Sequence, residues 1–354
     1  MSVTVYLTIQ SSEVPATLTD FPVYVDLSDM PTDFWNTVTN GGGDIRVFQS
    51  DGTTECAREV VSCDTATDTG ELHFLANSVS SSVDTVFKIV VDGTSSDYAV
   101  TDTYGRNAVW ADYEFVSHDG GGTDSTGNYT PTANGGVTAG GATGKIGDAT
   151  DFDGVDDYFS LGTMGSFGSS RLGSSTWTTW FKTTDTSYAS GTGNDGTNTE
   201  ISVFNKISFP PEEVLFLRDD DSDFIRVSAT SGTNAIRTDG NWHKETIVID
   251  NGSSKYYLDG ADRLDNVLFS GLGSTLDNFS NFQYQMLIAA REISFFGVVS
   301  HSDIVFDEIR IRNDNTTTTA NWENAEHKNQ HLPSTFYTAT ATSLLPQFLG
   351  FAGL

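Results

Sequence analysis

The sequence predicts an all-β protein of two β-sandwich domains, followed by a short helix and an apolar C-terminal tail. Composition is the first observation: the 354 residues include 34 Gly but only 7 Lys and 13 Glu, so turn formers are plentiful and helix formers are sparse. The second is a period-two alternation of apolar and polar side chains, clearest over residues 2–10. The third is the spacing of turn signals, roughly every 8–12 residues, which is typical of sandwiches.

The first domain is predicted over residues 1–105. Three of its segments, LTDFPVYVDL (18–27), GDIRVFQSDGTTE (43–55) and VFKIVVDG (86–93), resemble a small β-sandwich domain of uncharacterised function. That domain often precedes LamG-like modules in prokaryotic surface and phage proteins, so the resemblance implies a fold and a companion module but no chemistry. Alternation and turn signals place its strands at residues 2–10, 19–27, 44–50, 53–62, 71–76 and 84–92.

The second domain is predicted over residues 106–333 around the stretch DFDGVDDYFSLGT (151–163). Its Asp-Gly pair favours a hairpin turn between two strands. The stretch resembles the opening motif of LamG-like (concanavalin A-like) jelly rolls. This resemblance implies a jelly roll whose closing strand lies near the acidic turn, followed by a helix over residues 319–331. Further matches follow in the family's order at residues 108–116, 174–185, 240–250, 255–260 and 303–312.

Charge and cysteine content limit the partners and the compartment. The net charge of −30 comes mainly from 35 Asp, and such a field repels nucleic acid and anionic membranes, so neither is expected as a partner. Excess aspartate suits either a high-salt habitat or a solvated acidic surface. Cys56 and Cys63 are expected to be free thiols, because a disulfide between residues seven apart on one strand needs a sharp turn.

A calcium site is the first candidate. Asp153, Asp156 and Asp157 crowd one turn, and hard cations prefer several close carboxylate oxygens. The LamG-like resemblance implies that Asp307, on the closing strand, lies beside them, so Asp153 and Asp307 are the principal predicted ligands. The alternative is a solvated turn in which the Asp side chains accept hydrogen bonds from the backbone.

Two other patterns suggest metal sites but favour ordinary structure. Residues 218–224, RDDDSDF, begin like an EF-hand loop, yet Phe224 and Thr230 stand where Gly and Glu are needed, so a hairpin turn is expected. His327 and His331 are four apart on the predicted helix, but Lys328 occupies the place of a zinc-protease Glu, so a solvated helix face is expected. His243 is interpreted as structural.

The function predicted is recognition without catalysis. The paired-carboxylate strand motif of related glycosidases, the G-x-S-x-G motif and the P-loop are all missing from the sequence. A Gly-rich excursion over residues 185–199 offers polar and aromatic groups to a glycan. Its candidate ligand-binding residues are Tyr188, Asn194, Asp195 and Asn198. A carbohydrate-active enzyme is the alternative.

The predicted setting is a virion surface or the extracellular space. The chain shows no basic, apolar leader and no run of 18 apolar residues. The expected role is a spike, turret or fibre protein that attaches to a host-surface glycan or glycoprotein. The uncharged apolar tail, residues 334–354, is expected to dock on another virion subunit within a homo-oligomer. A purely structural capsid, tail or surface-layer protein is the alternative role.

Overall fold

The computed structural model describes residues 2–49, 51–163, 174–184, 200–205, 214–218, 224–226, 239–250, 255–262, 285–293, 297–299 and 301–341. Strands dominate this part of the chain and helices are few and short, which confirms the all-β prediction. Among the described residues, none of the helices has both the length and the apolar character needed to cross a bilayer.

The first part of the chain alternates strands with short turns. All six strands predicted for the first domain are present. Its elements are β1 (Val3–Ile9), β2 (Leu18–Asp26), the one-turn helix α1 (Thr32–Trp35), β3 (Arg46–Phe48), β4 (Arg58–Asp64), β5 (Thr69–Val79) and β6 (Thr85–Val91), with 3-10 turns at Ser11–Glu13 and Leu27–Asp29.

The rest of the chain adds many strands and one longer helix. The segment 108–116, predicted as a strand, instead begins as a helix and becomes extended only from Tyr113. The elements are α2 (Arg106–Val109), β7 (Tyr113–Ser117), β8 (Thr132–Asn134), β9 (Ala142–Thr143), β10 (Asp148–Asp153), β11 (Tyr158–Thr163), β12 (Ser174–Lys182), β13 (Glu200–Asn205), β14 (Val214–Arg218), β15 (Phe224–Arg226), β16 (His243–Asp250), β17 (Lys255–Leu258), β18 (Ala261–Asp262), β19 (Gln285–Ile288), β20 (Arg291–Ile293), β21 (Gly297–Val299), β22 (Asp303–Arg312), α3 (Ala320–His331), α4 (Pro333–Phe336) and β23 (Tyr337–Ala341).

The first sandwich packs a three-stranded sheet, β2-β5-β4, against a four-stranded sheet, β23-β1-β6-β3. The alternation in β1 produces the expected face, because Val5, Leu7 and Ile9 are fully buried. Burying each such side chain contributes about 1.5–3 kcal/mol. Cys56 and Cys63 also lie in this core, and the prediction that they are free thiols is confirmed.

The end of the chain completes this first sandwich. β23 pairs with β1 as the edge strand of the four-stranded sheet, with Ile9 opposite Tyr337. The Tyr337 ring is buried in the first core, and its hydroxyl accepts a hydrogen bond from the Asp26 backbone N–H at 2.9 Å. Residues 337–341 therefore occupy their own chain's sheet instead of a neighbouring subunit, which corrects the predicted role of the tail for this segment. Residues 342–354 lie outside the described residues.

The second sandwich consists of an eight-stranded and a six-stranded sheet. In the larger sheet β22 pairs with β12 on one side and with β10 and β7 on the other. In the smaller sheet β11 pairs with β19 and β8. Phe152 of β10 and Phe159 of β11 meet edge to face, with ring centroids 5.7 Å apart.

The acidic turn joins these two sheets and does not form the predicted hairpin. Its flanking strands β10 and β11 belong to different sheets. The reason lies in the apolar residues on either side: Phe152 and Phe159 both point into the space between the sheets, so the chain crosses the sandwich within the turn. Gly154 has a φ of +70°, and a Cβ at this position would lie 2.9 Å from the Asp303 Cβ.

Candidate functional site

A cleft of about 940 Å³ opens between the two sandwiches. One wall comes from strands β2, β4 and β5 and the segment 97–106, and the other from residues 118–125 and 145–148 of the second sandwich. Eight carboxylates and three cations contribute to the lining. The carboxylates are Asp26, Glu59, Asp64, Glu71, Asp97, Asp119, Asp124 and Asp148, and the cations are Arg58, Arg106 and Lys145.

Two histidines and two glutamates meet in a buried cluster where the cleft reaches the contact between the sandwiches. Glu71 and His73 lie on β5, whereas His118 follows β7 and Glu308 lies on β22. The His73 Nε2 and Glu71 Oε1 atoms are 2.8 Å apart, and His118 Nδ1 is 3.3 Å from the same Glu71 oxygen. His118 Nδ1 is also 2.6 Å from Glu308 Oε1. We call these four residues the His/Glu cluster.

The strand geometry at Glu71 and His73 and a β-bulge at Glu308 bring these side chains together. Glu71 and His73 are two apart on a strand and therefore share a face. Glu308 has a φ of +51°, which is uncommon for a non-Gly residue. The pairing of β12 with β22 shifts register at this position, so Glu308 sits in a β-bulge that turns its side chain away from the regular alternation.

Neighbouring groups hold the cluster from outside. The second ring nitrogen of His118, Nε2, is 3.2 Å from Glu59 Oε2. Glu59 is fixed in turn by the Ser125 hydroxyl, which donates to its Oε1 at 2.6 Å. The Arg310 guanidinium donates to the Glu308 Oε2 atom, which faces away from His118.

Burial and these contacts shift the pKa of each cluster residue. Burial alone would lower the pKa of His118, but the carboxylates of Glu308 and Glu59 raise this pKa well above its ordinary value. Burial would raise the pKa of Glu308, but His118 and Arg310 hold it well below the usual range. Burial raises the pKa of Glu71 to about 8 and lowers that of His73 well below its usual value.

The ion pairs continue from the cluster to helix α3. Arg310 Nη1 is 3.0 Å from Glu326 Oε1, and Glu326 also pairs with Lys244 Nζ at 2.8 Å. Lys244 is fully buried and its Nζ lies 2.6 Å from Glu323 Oε1. A buried ion pair is costly to break because the remaining charge loses its partner. The network therefore fixes how the helix and β22 pack at the domain contact.

The rim of the cleft presents an aromatic ring and a guanidinium. The Tyr98 ring carries the Arg46 guanidinium at 4.2 Å from its centroid, and its hydroxyl donates to Glu55 at 2.8 Å. Arg58 pairs with Asp97 at 2.6 Å. The Nε atom of Arg106 is buried and has no hydrogen-bond partner among the residues described.

The predicted calcium ligands are only partly brought together. Carboxylate oxygens of Asp153, Asp156 and Asp157 lie within 4.8 Å of one another. Asp153 Oδ1 accepts a hydrogen bond from the Val155 N–H at 2.8 Å, the pattern of an Asx turn, which requires no cation.

Asp307 does not join this group, and its predicted role beside Asp153 is wrong. Asp153 pairs with Asp303, so Asp307 lies four residues further along β22. Its side chain is fully buried and its Oδ2 accepts a hydrogen bond from the Ile146 N–H at 2.8 Å. Burial and the neighbouring Glu308 raise its pKa well above the usual value.

The remaining predictions concern the glycan-binding loop residues, the segment 218–224 and His243. Tyr188, Asn194, Asp195 and Asn198 lie outside the described residues. Arg218 of β14 pairs with Phe224 of β15 in antiparallel register, as the predicted hairpin requires, and residues 219–223 between them lie outside the described residues. His243 contacts Asp259 and Asp239 at 2.9 and 3.1 Å, which agrees with a structural role.

The histidine pair on helix α3 is only partly the solvated face that was expected, because His331 is exposed whereas His327 is half-buried. The rings of His327 and His331 stack on each other and on Trp180, with centroids 5.0–6.0 Å apart. Burial lowers the pKa of His327 to about 4. The pair therefore covers an aromatic surface of the second sandwich.

Comparisons with known proteins identify distant structural similarities only. No family model matches the chain, and no curated protein matches it. The binding domain of Paraclostridial Mosquitocidal Protein 1 is similar with a TM-score of 0.41 and 14% identity, over 62% of this chain and 52% of that one. A second similar structure is domain 4 of AbnA, a GH43 extracellular arabinanase from Geobacillus stearothermophilus, in complex with arabinotriose. Its TM-score is 0.34 and its sequence identity 21%, over 57% of this chain and 90% of that one.

A third similar structure is the Trypanosoma rangeli sialidase in complex with sialic acid, with a TM-score of 0.38 and 10% identity, over 78% of this chain and 45% of that one. This chain thus spans about half the length of the mosquitocidal protein's binding domain and less than half of the sialidase, at 52% and 45%. Identities and TM-scores this low assign neither a family nor a function to the chain.

Proposed function

We propose that this protein binds a glycan without cleaving it and that the cleft between its sandwiches is the binding site. The observation that carries the proposal is the size and polarity of that cleft. Its volume of about 940 Å³ lies at the upper end of the range for small-ligand sites, roughly 300–1,000 Å³. A short oligosaccharide fits a space of this size.

The lining suits a ligand with many hydroxyl groups. Carboxylates accept hydrogen bonds from hydroxyls, while guanidinium groups and serine and threonine hydroxyls donate to them. The half-buried Tyr98 ring adds apolar surface at the rim, and the Nε of Arg106 lacks a partner among the described residues. A buried donor without a partner favours a ligand that supplies an acceptor.

The charge of the cleft restricts the class of glycan. The lining holds eight carboxyl groups, of which Glu71 has a pKa of about 8, against three basic side chains and His118, whose raised pKa favours its charged form. The balance is still acidic, and the whole chain carries a net charge of −30. Like charges brought together across an interface cost several kcal/mol. We therefore expect neutral or amino-sugar glycans to bind, and sialylated or sulfated glycans to be rejected.

A glycan array followed by titration of the best ligands tests this proposal. Arg106→Gln and Asp148→Asn should each weaken binding by about 10- to 150-fold, because a hydrogen bond to a charged group contributes about 1.5–3 kcal/mol. Asp33→Asn, a change of an exposed carboxylate outside the cleft, should leave the affinity unchanged.

Three outcomes would contradict the proposal. Absence of binding to every glycan would favour the purely structural alternative. Affinity that the cleft variants do not change would place the site elsewhere, for example in the predicted loop 185–199. Release of reducing ends from a bound polysaccharide would favour the carbohydrate-active enzyme.

The proposed setting remains a virion surface or the extracellular space, with a host-surface glycan or glycoprotein as the partner. The polar cleft and the acidic composition support a role in recognition outside the host cell. A density map of the native particle or oligomer would test it. The map should show the mouth of the cleft facing outward, and a cleft covered by a neighbouring subunit would contradict the proposal.

A further inference from the structure

We propose that the His/Glu cluster binds one divalent transition-metal ion, for which Zn²⁺ is the probe, and that this ion links the two sandwiches. Glu71, His73, His118 and Glu308 each offer a ligand atom, and these atoms lie within 4.8 Å of one another. All four side chains are at least nine-tenths buried.

The donor set and its spacing fit zinc. Imidazole nitrogens with carboxylate oxygens suit zinc and its neighbours in the periodic table, whereas calcium prefers oxygen donors alone. Tetrahedral zinc with bonds of 2.0–2.2 Å separates its ligands by about 3.3 Å. The separation of Glu71 Oε1 from His118 Nδ1 is 3.3 Å, and that of Glu71 Oε1 from His73 Nε2 is 2.8 Å. The separation of His118 Nδ1 from Glu308 Oε1 is shorter still, at 2.6 Å, so an ion needs these two side chains to spread by about 0.7 Å. The remaining ligand atoms lie within 4.8 Å of one another and must move inward to reach the same spacing.

The groups around His118 and Glu308 are arranged as in metal sites, whereas the Nδ1 of His73 has no hydrogen-bond partner among the described residues. A ligand histidine commonly offers its second ring nitrogen to a carboxylate, which fixes the ring's orientation. His118 does this with Glu59, at 3.2 Å, and Glu59 is itself held by the Ser125 hydroxyl. Arg310 donates a hydrogen bond to Glu308 Oε2, the carboxylate oxygen that does not contact His118. The β-bulge at Glu308 turns the other oxygen, Oε1, toward the cluster.

The position of the cluster shows how an ion could reach it from solvent and what the bound ion would do. Glu71 and His118 contribute to the lining of the cleft, so an ion has a path from solvent. Two ligands come from the first sandwich and two from the second. Four protein donors complete a tetrahedral shell, which is the arrangement of structural zinc sites, and catalytic sites keep a position open. We infer a link between domains, independent of whether the cleft binds a glycan.

The test uses the untagged full chain after removal of metals with a chelator. Isothermal titration with Zn²⁺ should show one equivalent bound, and the ion should raise the midpoint of thermal unfolding. Calcium at the same concentration should give neither effect at this cluster. X-ray absorption of the zinc-loaded protein should show nitrogen and oxygen neighbours at about 2.0–2.2 Å and no sulfur at about 2.3 Å.

Variants then locate the ion. His118→Gln and Glu308→Gln should each weaken zinc binding by tenfold or more, and Glu59→Gln, next to a ligand, by about 10–100-fold. His243→Gln replaces a histidine outside the cluster and should bind zinc as the parent does. Circular dichroism checks that each variant folds. If His118→Gln does not fold, Glu59→Gln and the absorption spectrum of the parent protein decide the question.

Two results would overturn the proposal. The first is failure of the parent protein to bind Zn²⁺ at micromolar concentration, which would leave the cluster as a network of ion pairs. The second is zinc binding that persists in the folded His118→Gln and Glu308→Gln variants, or that shows sulfur neighbours from a cysteine, since either places the ion elsewhere.

Discussion

At the scale of single residues, His243 gives a pH-dependent contribution to stability. Although burial alone would lower it, hydrogen bonds with Asp259 and Asp239 raise the pKa of His243 above its ordinary value of about 6.5. Folding therefore favours the protonated ring. This stabilisation is fully present below about pH 6.5 and is lost as the pH rises through the folded-state pKa.

Urea denaturation of the parent and of His243→Gln at several pH values tests this prediction. The parent should exceed the variant in free energy of unfolding most clearly near about pH 5.5, and the difference should shrink in alkaline solution. His301→Gln is a control with the opposite sign, because burial lowers the pKa of His301 and acid therefore opposes folding. A His243→Gln difference that grows toward high pH would contradict the argument.

Only part of the two candidate metal sites, the His/Glu cluster and the predicted calcium site, could be predicted from the sequence. Crowding of Asp153, Asp156 and Asp157 is visible because the three residues are neighbours in the chain. Asp307 was misplaced because the register of β10 against β22 depends on packing between sheets. The contact of His118 with Glu71 was missed because it joins two domains, and sequence periodicity carries no information about such contacts.

At the scale of elements, helix α3 is held between the sandwiches by specific contacts. Thr319 caps its beginning, accepting a hydrogen bond from the Trp322 N–H at 3.2 Å. The Asn329 side chain accepts from the Tyr24 N–H and donates to the Tyr24 carbonyl, both at 2.8 Å. Asn329 is 1% exposed, so it satisfies backbone groups of β2 that water cannot reach.

Asn329→Ala should therefore lower the free energy of unfolding by about 2–4 kcal/mol, because it leaves two buried backbone groups without partners. Asn321→Ala, at an exposed position on the same helix, should change it by less than about 0.5 kcal/mol. Denaturant titration of both variants measures the difference. Equal effects would show that Tyr24 finds other partners when Asn329 is removed.

Most elements could be predicted and their connections could not. Strand β1 was predicted almost to the residue because its alternation reflects one buried face. Strand β22 was placed at residues 303–312 by the family resemblance, and its last seven residues are all buried, so alternation of burial does not mark it. The turn between β10 and β11 was misread because an Asp-Gly turn can return to the same sheet or cross to another. The choice depends on Phe152 and Phe159 packing between the sheets, which is a tertiary contact.

At the scale of the whole molecule, Trp322 joins the two sandwiches. Its ring packs edge to face on Phe21 of the first core, with centroids 4.9 Å apart. The Arg312 guanidinium of the second sandwich lies 4.8 Å from the same ring. The prediction of separate domains at residues 1–105 and 106–333 therefore omits a shared contact, since residues far along the chain fill the core of the first domain.

Trp322→Ala should lower the stability of both sandwiches together, by about 3–5 kcal/mol for the lost burial. Scanning calorimetry should show a single unfolding transition in the parent and a single transition at lower temperature in the variant. Val83→Ala, at an exposed position of the first sandwich, is the control and should leave the transition unmoved. Two transitions, of which only one shifts, would show that the sandwiches unfold independently.

The pairing of β1 with β23 also governs the order of events during synthesis. The ribosome completes β1 at Ile9 but releases its partner only after Ala341, and at about 5–20 residues per second this delay is on the order of 20–60 s. During that interval one side of β1 has no strand beside it, and such an edge can recruit other nascent chains. Slow growth of the polypeptide should consequently increase aggregation, and a chaperone that shields the early segment should raise the yield.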